Sequence, residues 1–397
     1  MRIVIAGQTY DPTINGQGAF TVHLVEGLVQ AGHQVMVIRP SDHIHAYRTS
    51  RNNLHVRAII AIPLAPPPYS NVCVTPLPGV QVGRLLDEFQ PEIVHIQDHY
   101  PLCRGVLHAA LERDLRVVGT NNFLPENIIP HVPIFSRSAA LRAFLKHILW
   151  KMVLDVFNRV DVATAATETA ARILRQQGLE VPVQAISSGV DLNYFRPDPS
   201  VNRTEIRVRY GLDPQRIIFL YVGRIDREKR LDILLRAFHR LKRDDLQLAI
   251  AGRGRNLKAL QSLARQLGLG QQVVFTGYVL SKDLPALLNS ADVFAMPSEA
   301  ELQSIATLEA MGTGRPVLAA DARALPELVE NGVNGYLFRA GDVTDAAQRI
   351  AKLADHPESW AKMGKASLEI AHPHSLSNTL QYYQELYHSL TSIPDPL

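Results

Sequence analysis

Short apolar runs rich in Val, Ile and Leu alternate with segments whose apolar residues recur every three or four positions, almost from one end of the chain to the other. The short runs predict strands and the longer period predicts helices, an alternation that belongs to parallel sheets covered by helices. In the first half the pattern predicts strands at 2–6, 34–38, 56–62, 92–96, 116–119, 161–165 and 183–186. In the second half it predicts them at 217–222, 247–251, 273–276, 292–296, 316–320 and 335–338. Each half reads as a doubly wound unit. Between them, residues 188–200 contain Gly189-Val190-Asp191 and Phe195-Arg196-Pro197-Asp198-Pro199, with neither period, and are expected to link the halves. A last helical pattern, about 375–390, has no strand after it and is expected to cross back to the first half. The expected domains are therefore 1–188, 189–374 and a terminal helix in 375–397.

Composition narrows the class. A chain of 397 residues with 46% hydrophobic and 20% charged positions is long enough for two cores, and its net charge of only +3 gives no argument for nucleic acid. Two cysteines, Cys73 and Cys103, are too few for a disulfide framework, and no Cys/His spacing suggests zinc. A reducing, cytoplasmic setting is expected. The first apolar run reads as a strand rather than a signal-peptide core, and no stretch is long enough to span a bilayer. Any membrane contact is then peripheral, on the inner face. One segment suits it: in 137–159, Leu141, Phe144, Leu145, Ile148, Leu149, Trp150, Met152 and Val153 are interleaved with Arg137, Arg142, Lys146, Lys151 and Arg159. A basic amphipathic helix can lie on an anionic membrane surface; a helix packed on the first sheet with its cations wet explains the same residues.

Ligands of open α/β sheets bind beyond the carboxyl ends of the strands, so chemistry is sought in the loops that follow them. After the strand ending near Met296 comes Pro297-Ser298-Glu299-Ala300-Glu301, then Ser304, Ile305 and Glu309. Helical spacing would set Glu301 and Glu309 roughly 12 Å apart along an axis. That exceeds the reach of a glycosidase acid and nucleophile and suits two distant parts of one extended ligand, such as a sugar and a ribose. The amides of Ser304 and Ile305, at a helix start, could receive phosphate oxygens. Two acids flanking a helix start also simply complement its dipole. After the strand at 217–222, Gly223-Arg224-Ile225-Asp226-Arg227-Glu228-Lys229 places two cations, Arg224 and Lys229, where a diphosphate could lie; solvated loop charge is the plainer reading. Asn15-Gly16-Gln17-Gly18 follows the first strand and permits close backbone approach. Gly252-Arg253-Gly254 lacks the third glycine of a dinucleotide fingerprint, which argues against NAD.

Taken together these motifs resemble glycosyltransferase family 4, of the GT-B fold: two Rossmann-like doubly wound parallel-sheet α/β domains facing across a cleft. The resemblance rests on Gly-Arg-x4-Lys, Glu-x7-Glu, the Gly-x-Pro-Val at 314–317, the Gly-Val-Asp at 189–191 and the N-terminal glycine loop, in that family's order, and covers nearly the whole chain. It implies a retaining hexosyltransferase using a nucleotide diphosphate sugar, UDP-glucose being favoured, with no cofactor or metal; no Asp-x-Asp motif is present. Arg224 and Lys229 would bind the diphosphate, Glu301 would face the transferred sugar, and Glu309 would hold the ribose. Gly16 and Gly18 would wall the phosphates, and the backbone at Tyr278 and Val279 would receive the base. Many lipid-glycosylating relatives have His at the position of Asn122, which can hydrogen-bond a hydroxyl but cannot carry positive charge. His131, nine residues further on, could compensate, although a surface-loop histidine is the plainer reading. Asn-Phe-Leu-Pro-Glu-Asn, 122–127, resembles enzymes acting on diacylglycerol or phosphatidylinositol-type lipids, so the expected acceptor is a lipid or small molecule. A glycoside phosphorylase of the same fold, or a nucleotide-sugar-binding protein with weak catalysis, are the alternatives.

Overall fold

The computed structural model describes residues 1–11, 16–43, 45–63, 73–75, 78–125 and 138–392. Their contacts divide into two compact units, Met1–Ser188 with Ser377–Leu397, and Gly189–Leu376.

The first unit carries strands β1 (Arg2–Ala6), β2 (Gln34–Pro40), β3 (Tyr47–Arg51), β4 (Leu54–Ile59), β5 (Ile62–Pro63), β6 (Cys73–Val74), β7 (Ile93–Ile96), β8 (Arg116–Asn121), β9 (Val162–Ala165) and β10 (Val183–Ala185). Eight of them form one sheet in the order β10-β9-β8-β7-β1-β2-β4-β3. All pairings are parallel except β3 with β4. Chain order reverses between β1 and β7, the switch point at which open sheets leave a crevice. β1, β2 and β7 are buried along nearly all their length, as a sheet covered on both faces requires. The expected strand at 56–62 is corrected: β4 ends at Ile59, and Ile62–Pro63 turns away to pair with Cys73–Val74. β3 was not expected because its residues, Tyr-Arg-Thr-Ser-Arg, lie exposed on an antiparallel edge and carry no apolar signal. Its described helices before the second unit are α1 (Gly16–Gln30), α2 (Pro78–Phe89), α3 (Pro101–Leu111), α4 (Ala139–Phe157) and α5 (Glu168–Gln177).

The second unit contains α6 (Arg203–Arg209), β11 (Ile217–Val222), α7 (Leu231–Leu241), β12 (Leu246–Ala251), α8 (Leu257–Gln266), β13 (Val273–Gly277), α9 (Leu284–Ser290), β14 (Val293–Met296), α10 (Ile305–Gly312), β15 (Val317–Asp321), β16 (Gly335–Arg339), α11 (Val343–Ala354) and α12 (Trp360–Ala371). Its sheet is parallel throughout, in the order β13-β12-β11-β14-β15-β16, so its switch point lies between β11 and β14. The segment read as a linker is tied into this unit: the Val190 amide donates to His374 O at 3.0 Å, and the Leu376 amide donates to Val190 O at 2.9 Å.

The last helix, α13 (Leu376–Thr391), packs on the first sheet. Tyr383 and Tyr387 are wholly buried there. Gly27 of α1 leaves room for Leu380, since a Cβ at residue 27 would stand 2.3 Å from the leucine methyl. Between α13 and the sheet runs a neutral polar ladder. His95 Nδ1 meets the Tyr387 hydroxyl at 2.7 Å and His95 Nε2 meets Thr120 Oγ1 at 2.6 Å; Thr120 also reaches Thr164 Oγ1 at 2.6 Å. Burial pushes the His95 pKa down to about 3, so the ring is neutral and uses one nitrogen as donor and one as acceptor.

Candidate active site

In the second unit the two strongest motifs occupy the loops after β11 and β14, the adjacent strands that flank the switch point. Gly223, at φ 149°, and Gly252, at φ 144°, let the loops after β11 and β12 run backbone against backbone: a Cβ on residue 252 would lie 1.9 Å from Gly223 O. The buried Tyr221 donates its hydroxyl to Arg224 O at 2.6 Å, and Asp226 Oδ1 accepts the Arg255 amide at 3.0 Å. These bonds fix the loop that carries Arg224 and Lys229.

Lys229 Nζ meets Glu301 Oε1 at 2.5 Å, with both side chains largely buried. That contact joins the Gly-Arg-x4-Lys motif to the Glu-x7-Glu motif, 72 residues apart in sequence. Arg224 is half exposed and its guanidinium is shared by Asp226, at 2.6 Å, and Glu228, at 3.0 Å. Lys229 is thus paired with a carboxylate that the motif predicts, and Arg224 with two that sequence reasoning does not single out. A third pair, Arg230 with Glu299, ties the same two loops together.

Glu301 is not on a helix. α10 begins at Ile305, with Ser304 as its N-cap accepting the Thr307 amide, so the helical spacing assumed between Glu301 and Glu309 does not apply. The chain instead turns between Pro297 and Ser304, which brings Glu301 back against the β11 loop. Ser304 and Ile305 stand at the helix N-terminus, and Glu309 sits on the second turn. Glu309 makes no side-chain hydrogen bond among the described residues, and burial pushes its carboxyl up to about 8. Tyr278, one residue past β13, is exposed, with the Arg253 guanidinium 4.1 Å above its ring; Val279 packs partly into the core.

In the first unit Gly16 and Gly18 form the first turn of α1 rather than a loop before it. Neither has a left-handed φ, so the backbone freedom of glycine is not what the fold uses there. Asn122 follows β8 directly and its Nδ2 is buried without a hydrogen-bond partner among the described residues. His131 and Arg137 lie outside the described residues. α4 runs from Ala139 to Phe157 and buries Trp150, Val153, Val156 and Phe157, while Phe144, Ile148 and Met152 are exposed at intervals of four on one stripe. No helix among the described residues is long and apolar enough to cross a membrane.

Two family models match, "Glycosyltransferase Family 4" over residues 14–194 and "Glycosyl transferases group 1" over residues 202–369. The GDP-mannose-dependent alpha-(1-6)-phosphatidylinositol monomannoside mannosyltransferase of Mycobacterium tuberculosis is 30% identical over 307 residues, covering 74% of this chain and 75% of that protein. Sulfoquinovosyl transferase SQD2 of Arabidopsis thaliana is 28% identical over 286 residues, covering 71% of this chain; the chain spans about half of that relative's length, 53%. Among solved structures, HepE of Anabaena in complex with UDP-glucose superposes with a TM-score of 0.77 at 19% identity, covering 98% of this chain and 100% of that one, a likeness of fold. With two parallel-sheet α/β units, the motifs in order and matches over both halves, the chain belongs to glycosyltransferase family 4 and has the GT-B fold.

Proposed function

We propose that the protein is a retaining hexosyltransferase that takes a hexose from a nucleotide diphosphate sugar, UDP-glucose being the favoured donor, and passes it without a metal to a hydroxyl of a membrane lipid such as diacylglycerol or phosphatidylinositol. The observation that carries this is the Lys229–Glu301 contact, which assembles both motifs at the switch point of the second sheet. Departure of a nucleoside diphosphate builds negative charge on its phosphates, and preorganised cations lower that barrier. Lys229 and Arg224 supply the cations, and the Ser304 and Ile305 amides add the positive end of α10. Glu301, held by Lys229, orients the sugar; Glu309 meets the ribose, and the backbone at Tyr278 and Val279 takes the base. As the acceptor hydroxyl replaces the diphosphate at the anomeric carbon, the leaving group's charge is met by Lys229, Arg224 and the α10 amides in place of a metal.

The lipid acceptor is favoured by α4, whose exposed stripe of Phe144, Ile148 and Met152 is bordered by Lys151. Such a face suits peripheral attachment to an anionic bilayer. The similarity to a phosphatidylinositol monomannoside mannosyltransferase and to SQD2 points the same way.

Calorimetric titration without metal against UDP, GDP and ADP tests the donor site. One nucleotide should bind at micromolar affinity, and Arg224→Ala and Glu309→Ala should each weaken it. Absence of binding to all three would overturn the reading. The configuration of the product's anomeric carbon, read by proton NMR, tests retention.

A further inference from the structure

The first unit holds a pocket of about 600 Å³ along α4. Ala143, His147, Trp150, Leu154 and Asn158, spaced three or four residues apart, line it, so a single face of the helix forms its long wall. Gln177, the last residue of α5, closes one end. Asn158 fixes that end, its Nδ2 donating to Gly178 O at 3.2 Å and its Oδ1 accepting the Glu180 amide at 3.0 Å. Since α4 leads into β9 and α5 into β10, two parallel neighbours, this end lies at the amino edge of the sheet. It is remote from the carboxyl edge, where open sheets bind their main ligands.

Two features of the pocket call for an anion. Among the described residues its lining carries the cations Lys146, Lys151 and Arg159 against one carboxylate, Asp155, which is paired with Arg104 of α3 at 2.5 Å. The lining therefore has an excess of positive charge. The second feature is Trp150, whose side chain is 3% exposed and whose Nε1–H is buried with no acceptor among the described residues. An indole N–H can only donate, and a buried one usually finds an acceptor. Trp360, the other tryptophan of the chain, does so, donating to Leu353 O at 2.9 Å. A phosphate would supply both the negative charge and the acceptor oxygens. The pocket is as large as ordinary small-molecule sites, about 300–1,000 Å³, and leaves room beside a phosphate for an organic body against Ala143 and Leu154.

We propose that this pocket is a binding site for a phosphate ester, with Lys151 and Arg159 holding the phosphate, the Trp150 indole donating to it, and Ala143 and Leu154 meeting the ester's carbon body. Lys151 and Arg159 are separated by about 12 Å along the helix direction, a span that their long side chains can close on a group lying between them. Two sources share this chemistry, a water-soluble phosphate monoester and the headgroup of an anionic phospholipid. A soluble ester needs the pocket alone. A lipid would also use the exposed stripe of Phe144, Ile148 and Met152, since Lys151 lies between that stripe and the pocket on the helix surface. Occupancy of the site requires neither sugar transfer nor the Lys229–Glu301 pair of the second unit.

Proton–nitrogen correlation NMR on the full chain tests this directly, because it contains only 2 tryptophans. The Trp150 indole N–H resonance, assigned by its loss in Trp150→Phe, is followed as glycerol 3-phosphate, monomeric dihexanoyl phosphatidylglycerol or plain glycerol is added. A saturable downfield shift with a phosphate ester and none with glycerol is expected. A shift with glycerol 3-phosphate assigns the site to a soluble ester, and a shift with the lipid alone assigns it to a headgroup. No shift with either ester overturns the site, and so does an equal shift with glycerol. By calorimetry, Arg159→Gln and Lys151→Gln should each weaken the ester at least about 10-fold, as loss of a charge-assisted hydrogen bond does, with the melting temperature unchanged. Full ester affinity in both variants would remove the cations from the site and overturn the assignment.

Discussion

The carboxyl edges of the two sheets are built from opposite materials. At the edge of the second sheet the side chains are charged and matched: Lys229 with Glu301, Arg224 with Asp226 and Glu228, Arg230 with Glu299. The corresponding edge of the first sheet has one buried carboxyl, Asp98, which accepts the Gln8 and Tyr100 amides rather than a cation, and among the described residues Thr9, Gln97, His99 and Asn122 each bury a polar atom that has no partner. Charges held by mutual pairing can be preorganised for a charged diphosphate at little cost in folding, because the pairing offsets their desolvation. Neutral groups can be left waiting for hydroxyls at a cost of about 1–3 kcal/mol apiece, where an isolated buried charge would cost far more. One switch-point geometry therefore carries two different sets of side chains, set by the residues placed on it.

The comparison breaks most severely at Lys229. Replacing it with Met removes a cation from the leaving group and strips Glu301 of its partner, so transfer should fall by about 10²- to 10³-fold. The melting temperature should fall as well, because removal of one partner from a buried pair costs up to about 3 kcal/mol. Adding Glu301→Gln should restore much of the stability and none of the transfer. Recovery of transfer in the double variant, measured as nucleoside diphosphate release, would show that the pair is structural and the second edge has been misread.

A second contrast lies beneath the first edge, where the ladder of His95, Thr120, Thr164, Tyr383 and Tyr387 is as fully satisfied as the edge above it is not. No charged side chain is hydrogen-bonded into it. The His95 pKa is lowered from 6.5 to about 3 by burial, so the unfolded chain binds the proton more readily. Stability from this residue is complete above pH 6.5 and is lost as the pH falls from there toward 3, at about 1.4 kcal/mol per pH unit. His95→Gln should flatten that acid limb in denaturant melts between pH 4 and pH 7. An unchanged slope would mean that the ring is charged in the folded state.

How much of this was legible in the sequence follows from which forces leave a one-dimensional trace. The strands of both sheets were legible because burial on two faces demands continuous apolar runs; β3 was not, because an exposed antiparallel edge demands none. The Glu-x7-Glu acids could be found by spacing, yet their separation could not, since Ser304 starts α10 three residues after Glu301 and spacing cannot reveal where a helix begins. Asp226 and Glu228 were printed between the two cations and passed over as loop charge; the i and i+2 or i+4 proximity to Arg224 was the available signal. His99 had no such signal. Its packing against Phe123 depends on β7 and β8 being neighbours, a matter of topology that no sequence displays.

Glu309 gives a gentler test of the charged edge, because it is the one carboxyl of that motif pair with no cation bonded to it. Its pKa is raised to about 8 by burial, so the folded state holds the proton that the unfolded chain releases near 4.5. This residue's contribution is most favourable below 4.5 and declines as the pH rises through 4.5 to about 8, after which it is constant. Glu309→Gln mimics the protonated form and should raise the melting temperature at pH 8 by a few degrees, roughly 1 kcal/mol or more, with no gain at pH 4.5. Because the acid is protonated near neutrality, the same variant should also keep its nucleotide affinity far better than Glu309→Ala.

A separate effect is expected on membrane attachment, and it asks whether the first unit is also the one that meets the lipid. Phe144, Ile148 and Met152 form the exposed stripe of α4, and Arg104, which holds the His99 loop, bonds Met152 O and Asp155 on that same helix. A stripe inserted among acyl chains would gain from each apolar side chain, and Phe144→Ser should weaken partition onto anionic vesicles by about 1–2 kcal/mol, roughly 5- to 30-fold. Lys151→Gln should cost about 1 kcal/mol, and only at low salt, since surface charge attraction fades within a Debye length. Both variants should leave nucleotide binding by the second unit untouched. Equal partition of parent and Phe144→Ser in vesicle sedimentation would detach the lipid from α4.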